Sequence, residues 1–179
     1  MNINGKFEII SGKIVISDPC YTRDTWCIGV IDNVKNGKWN FTANQIDSCG
    51  RRIQNIEAYH SGSSVKNYKY IEDLGVDSGQ LGIFDDSIYP HGEDMGEYDD
   101  KTSFYGKCCE ITLSKDAVGS VDNLGVVSSS GYGDGNYEAV LGLDVEGQVV
   151  KIEICFIIDE EEIDEEEIDE EEIDEEEID

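Results

Sequence analysis

The sequence predicts a mainly β protein: an antiparallel β-sandwich or open barrel of short strands and hairpins, with little helix. Three observations carry this reading. Apolar residues recur at every second position through much of the chain. Glycine is frequent (19) and proline scarce (2), the balance of a turn-rich β protein. Long apolar patterns of helical period are absent. Many short strands with glycine-rich turns close into a sandwich or barrel.

In chain order, "KFEII" and "GKIVIS" read as strands. A hairpin follows in "CIGVIDNVKNGKWNFTANQI". Its turn is Asn36-Gly37, because both residues tolerate positive φ. That register sets Val34 opposite Trp39 and Val30 opposite Ala43, while Asp32 opposite Phe41 fits less well. "NIEAYHS", "GQLGIFD", "CEITLS" and "GVVSSS" are further strands. The polar "DDSIYPHGEDMGEYDD" reads as a loop with room for one short helix. The clearest signal comes last. Tyr137, Ala139, Leu141, Leu143 and Val145 alternate strictly, and so do Val150, Ile152, Ile154, Phe156 and Ile158. A two-residue loop at Glu146-Gly147 pairs Leu143 with Val150, Leu141 with Ile152, Ala139 with Ile154 and Tyr137 with Phe156, all on one face.

The formal charge of the 179 residues is -28, but it is unevenly spread. Residues 159–179 repeat "DEEEI" and hold 17 of the 41 acids with no base, which leaves -11 for residues 1–158. A five-residue period turns successive isoleucines about 140° around a helix, so no core stripe forms. Residues 159–179 therefore read as a disordered acidic tail, with repeat expansion as its simplest origin and an acidic interaction segment as the alternative. Residues 1–158 read as a single β-rich domain, large enough to bury roughly 70% of its unfolded surface.

This charge argues against nucleic acid, which draws on clustered Lys and Arg, and against anionic membranes. A small molecule or a protein remains as partner; no cofactor is indicated. "MNINGKFEII" shows no signal-peptide pattern and the longest apolar run is "ICFII", so a cytoplasmic protein is expected. Cys20, Cys27, Cys49, Cys108, Cys109 and Cys155 form no CxxC pair and read as reduced thiols, several of them buried.

"SGKIVISDPCY", "GVDSGQLGIFDD" and "GVVSSSGYGDGNYEAVLGLDVEGQVVKIEICF" occur in that order, with "WCIGVIDNVKNGKW" and "KCCEITLS" between them. Together these segments resemble the bacterial and phage proteins grouped as domain of unknown function 4241. The resemblance covers most of residues 10–158 and excludes the acidic repeat. It implies a fold unit and a bacterial or phage setting, and carries no catalytic roles. The matching positions are Ser11, Gly12, Asp18, Pro19, Asp77, Gly79, Asp85, Ser130, Gly131, Gly133, Asp134 and Gly135.

The candidate ligand-binding residues are Asp18, Cys20, Asp77, Ser78, Asp85, Ser130, Gly131, Tyr132, Gly133 and Asp134. Each also has a plain structural reading. Asp18-Pro19 stops a strand as an Asp-Pro turn, or offers a carboxylate at a sheet end. Asp77-Ser78-Gly79 is an Asx-type turn, or presents a carboxylate toward Asp85, where two acids would share a proton or a hard cation. His91 with Asp85 and Asp94 is a solvated loop, or a metal site of one nitrogen and several oxygens. Cys20, Cys108 and Cys109 are buried thiols, or nucleophiles needing His60 or His91 as base. The Gly131–Gly135 loop leads into a strand, not a helix, so it is a wide turn before it is a phosphate cradle.

The expected function is a small binding or interaction module. Its site would be built at one sheet end from the Asp18, Asp77 and Gly131–Gly135 loops, and would sequester a small ligand or a partner protein in an accessory or counter-defence role. The alternatives are a metal-assisted hydrolase using Asp77, Asp85, His91 and Asp134, and an immunity-type inhibitor with an acidic surface.

Overall fold

The computed structural model describes residues 1–158; the expected disordered tail lies outside the described residues. The strands are β1 (Asn2–Ile9), β2 (Ile14–Ser17), β3 (Gly29–Ile31), β4 (Gly37–Asp47), β5 (Arg51–His60), β6 (Asn67–Val76), β7 (Gln80–Asp85), β8 (Val118–Ser120), β9 (Gly125–Ser129), β10 (Gly135–Leu143) and β11 (Val149–Cys155). One helix, α1 (Phe104–Thr112), precedes β8. A six-stranded sheet runs β1-β4-β5-β11-β10-β6 and a five-stranded sheet runs β3-β2-β7-β9-β8. Their paired strands are antiparallel throughout.

The two sheets share one apolar cluster. Phe7, Trp39, Phe41, Ile56 and Ile152 from the larger sheet pack with Ile14, Ile16, Leu81, Ile83 and Val126 from the smaller. The other face of the smaller sheet is covered as well. Val15, Phe84 and Val127 pack there against Tyr89, Met95 and Cys108 from the 86–103 loop and α1. This double burial explains why β2 and β7 read as nearly continuous apolar runs, whereas β4 and β10 alternate.

The last hairpin keeps the expected pairs Ala139 with Ile154 and Leu141 with Ile152. Tyr137 and Phe156 also meet, edge to face with ring centroids 5.2 Å apart. The turn itself differs from the two-residue reading. Gly147 donates to the Asp144 carbonyl and adopts φ +80°, while the Asp144 carboxylate accepts the amides of Glu146 and Gln148. That makes a three-residue loop with a bulge, which shifts Leu143 from Val150 to Val149.

The Asn36-Gly37 hairpin does not form. β3 pairs with β2 in one sheet, and β4 pairs with β1 and β5 in the other. Trp39 lies opposite Phe7 and His60, not Val34. The Asn36 side chain instead accepts the Gly12 amide, and Val34 donates to the Gly12 carbonyl, so residues 32–36 carry the chain between sheets. The poor Asp32–Phe41 match was the sign of this.

"CEITLS" is helical rather than extended. Ser103 caps α1 by accepting the Gly106 amide, and Cys108 and Cys109 turn inward together. Five residues of alternation do not separate a strand from a helix end. β6 escapes sequence reading because it is a sheet edge, exposed along most of its first seven residues. No helix among the described residues is long and apolar enough to cross a membrane.

Candidate functional site

Asp18 follows β2 and is fully buried. Its Oδ2 accepts the amides of Asp77 (2.9 Å) and Ser78 (2.6 Å); its Oδ1 accepts the Cys20 amide (2.9 Å) and the Ser78 hydroxyl (2.6 Å). The Tyr21 amide donates to the Asp18 carbonyl, closing the turn around Pro19. The turn reading of the Asp-Pro pair holds, and its buried carboxylate is bonded to the backbone of a neighbouring loop. Ser130 extends the chain of contacts by donating its amide to the Gly79 carbonyl. The Asp18, Asp77 and Gly131–Gly135 loops thus gather at one end of the sandwich.

Asp85 lies elsewhere. It ends β7 opposite Ile14, while Asp77 precedes the start of β7, so the two acids sit at opposite ends of that strand. Its oxygens accept the amides of Ile10, Ser11 and Ser87. Burial alone would push its carboxyl up, but the Ser87 hydroxyl and these amides together hold it below the usual carboxylate value. His91 and Asp94 are exposed in the 86–103 loop, where Asp94 accepts the Gly96 amide. Asp85, one of the acids proposed for a hydrolase, is thus committed to backbone amides away from Asp77. No group of three or more His, Cys, Asp or Glu side chains placed to hold a metal ion occurs among the described residues.

Cys27, Cys108 and Cys109 are buried and Cys20 is half-buried, while Cys49 and Cys155 are exposed. Burial, reinforced by Asp18, pushes the Cys20 thiol up to about 12, and burial pushes Cys108 up as well. Both stay protonated near neutrality, the opposite of what a nucleophile needs. Cys109 accepts a hydrogen bond from Gln80 and is likewise buried.

The glycine loop is held from inside. Gly133 donates its amide to the Ser130 carbonyl, and the Ser130 hydroxyl donates to the Gly133 carbonyl. Tyr137 donates to both carbonyls. Gly131 adopts φ +57°, and a Cβ there would come within 2.9 Å of Ile157 and Phe156. Close packing against the two residues that follow β11 thus adds to the positive φ at Gly131, and positive φ explains Gly133. Tyr132 is exposed and pairs with Ser48, under the Arg52 guanidinium.

A cavity of about 530 Å³, broadly open to solvent, lies at this same end. The β2–β3 connection supplies Tyr21, Thr25, Trp26 and Cys27 to its wall; the end of β6 supplies Gly75, Val76 and Asp77; and the start of β10 supplies Asp134, Gly135 and Asn136. The Gly75 amide, bonded to the Cys27 carbonyl, fixes the first two segments together. Val76 pairs with Gly135 in the sheet, so Asp77 and Asp134 are the next residues beyond that pair on adjacent strands. Neither acid is in a salt bridge among the described residues, and the lining contains no Lys or Arg. The Tyr21 hydroxyl bonds to Asp77; burial and that neighbouring acid hold it protonated. Trp26 is 79% exposed.

Asp77 and Asp134 were legible as loop acids, but Tyr21, Thr25, Trp26 and Asn136 were not singled out. The available signal was a tryptophan in the polar run "YTRDTWC", outside any alternating pattern. No family model, curated protein or solved structure matches the chain.

Proposed function

We propose that the chain is an interaction module that sequesters a partner protein through the face around the Trp26–Asp77–Asp134 cavity. The observation that carries this is Trp26, whose indole is 79% exposed in the same lining as two carboxylates that have no ion-pair partner among the described residues. Covering a large apolar side chain is worth roughly 2–3 kcal/mol, and tryptophan dominates protein interfaces for that reason. A small-molecule site normally encloses most of its ligand. The breadth of this opening favours a protein surface instead. Net charge -28 favours a basic partner by steering its approach. This reading joins the sequestering and immunity-type expectations, in the bacterial or phage setting that the family resemblance implies.

The test is a photo-cross-linking residue at position 26, with position 145 as control. Val145 is 81% exposed and lies in the β10–β11 turn, at the far end of β10 from the cavity. A discrete cross-linked species is expected at 26 and not at 145, competed away by excess wild-type protein but not by Trp26→Ala. The same products from both positions, or none, would end this reading.

A further inference from the structure

We infer that the group received by this cavity is a guanidinium, the side chain of an arginine on the partner; this rests on the interaction reading above. Three features converge on that chemistry. The first is charge. Asp77 and Asp134 flank the end of one ladder, unmatched by any base in the lining, so a cation entering there meets two carboxylates at once. The second is the aromatic wall. Trp26 and Tyr21 line the same cavity, and an indole is the side chain that attracts a cation most strongly. The third is the supply of further acceptors. Asn136 and Thr25 add oxygens to the lining, and a guanidinium has five N–H donors to distribute among them.

Ammonium and guanidinium are both cations, but they differ in shape. A guanidinium is planar, weakly hydrated, and able to stack on an aromatic face while forking onto a carboxylate. An ammonium is a compact, strongly hydrated charge that gains little from a flat wall. An open cavity with an indole and two acids in its lining suits the planar ion. An anion is excluded by the same acids.

The experiment uses the full-length chain and three short peptides, identical except for a central arginine, lysine or citrulline. The readout is acrylamide quenching of tryptophan emission. Trp39 is 1% exposed and Trp26 is 79% exposed, so quenching reports Trp26. The arginine peptide should protect Trp26 in a saturable manner that weakens as salt is raised. The lysine peptide should be about five- to tenfold weaker, and the citrulline peptide, isosteric but uncharged, weaker still. Asp77→Asn with Asp134→Asn should abolish the difference between arginine and citrulline while leaving quenching of the free protein unchanged. Equal protection by citrulline, or none by any peptide, overturns the cation assignment. Equal protection by lysine overturns the guanidinium assignment. In each case a specific cross-link at position 26 would still leave the interaction reading standing.

Discussion

Asp18→Asn is the sharpest probe of how the loop end is built. The substitution keeps the shape and removes one acceptor and the charge. Placed one way, the new NH2 group faces the amides of Asp77 and Ser78, stranding two donors. Flipped, it strands only the Cys20 amide, because the Ser78 hydroxyl can turn round and accept. The flipped form is the cheaper. One stranded amide costs about 1–3 kcal/mol, and each of the two remaining bonds drops by about 1 kcal/mol as the acceptor loses its charge. The Cys20 amide is only part-buried, which favours the low end. The expected loss is roughly 3 kcal/mol, or roughly 6–12 °C in Tm for a domain of this size. Urea unfolding followed by tryptophan fluorescence and by far-UV circular dichroism measures it. Asp134→Asn, at an exposed site without a backbone partner, serves as control and should stay within about 0.5 kcal/mol. A loss below 1 kcal/mol for Asp18→Asn would refute the claim that this carboxylate ties the β2 turn to the Asp77 loop.

Asp85 predicts an acid limb of stability. Its folded carboxyl is held below the ordinary value, so its contribution is complete above about pH 4 and is lost as pH falls through the lower folded value. Unfolding free energy measured across pH 2–6 should fall less steeply toward acid in Asp85→Asn than in the wild type; parallel slopes would contradict this. The thiols should separate by shelter. Brief iodoacetamide treatment of native protein near pH 8, read by peptide mass spectrometry, should label exposed Cys49 and Cys155. It should spare Cys27, Cys108, Cys109 and the high-pKa Cys20 until urea is added. Early labelling of Cys20 would mean that its turn opens readily.

The β class was legible because it rests on local pattern. Alternation over β10 and β11 fixed which residues face inward, and the register of Ala139 and Leu141 followed from it. The Asp-Pro turn and the glycine loop were legible for the same reason: proline, glycine and aspartate restrict the backbone where they stand. Their gathering at one sandwich end was an expectation that no local pattern secures: Asp18 ties its own turn to the Asp77 loop, and the Ser130 amide ties the glycine loop to Gly79.

Partner choice was not local. "NVKNGKW" carries a strong hairpin signal, yet β4 is drawn away to β1 and β5, because Trp39 and Phe41 fill the core only when they lie in the larger sheet. Asp77 and Asp85 stand only eight positions apart, but an extended strand between them carries them to opposite ends of the fold. Trp26 becomes a candidate contact residue only when three segments far apart in sequence close around it. The sequence by itself determined the β class, the inward faces of β10 and β11 and the turns at Asp18-Pro19 and the glycine loop, since each depends on neighbours a few residues away. The tertiary structure alone decided which strands share a sheet and which acids share a cavity, since those depend on how distant segments fill one core.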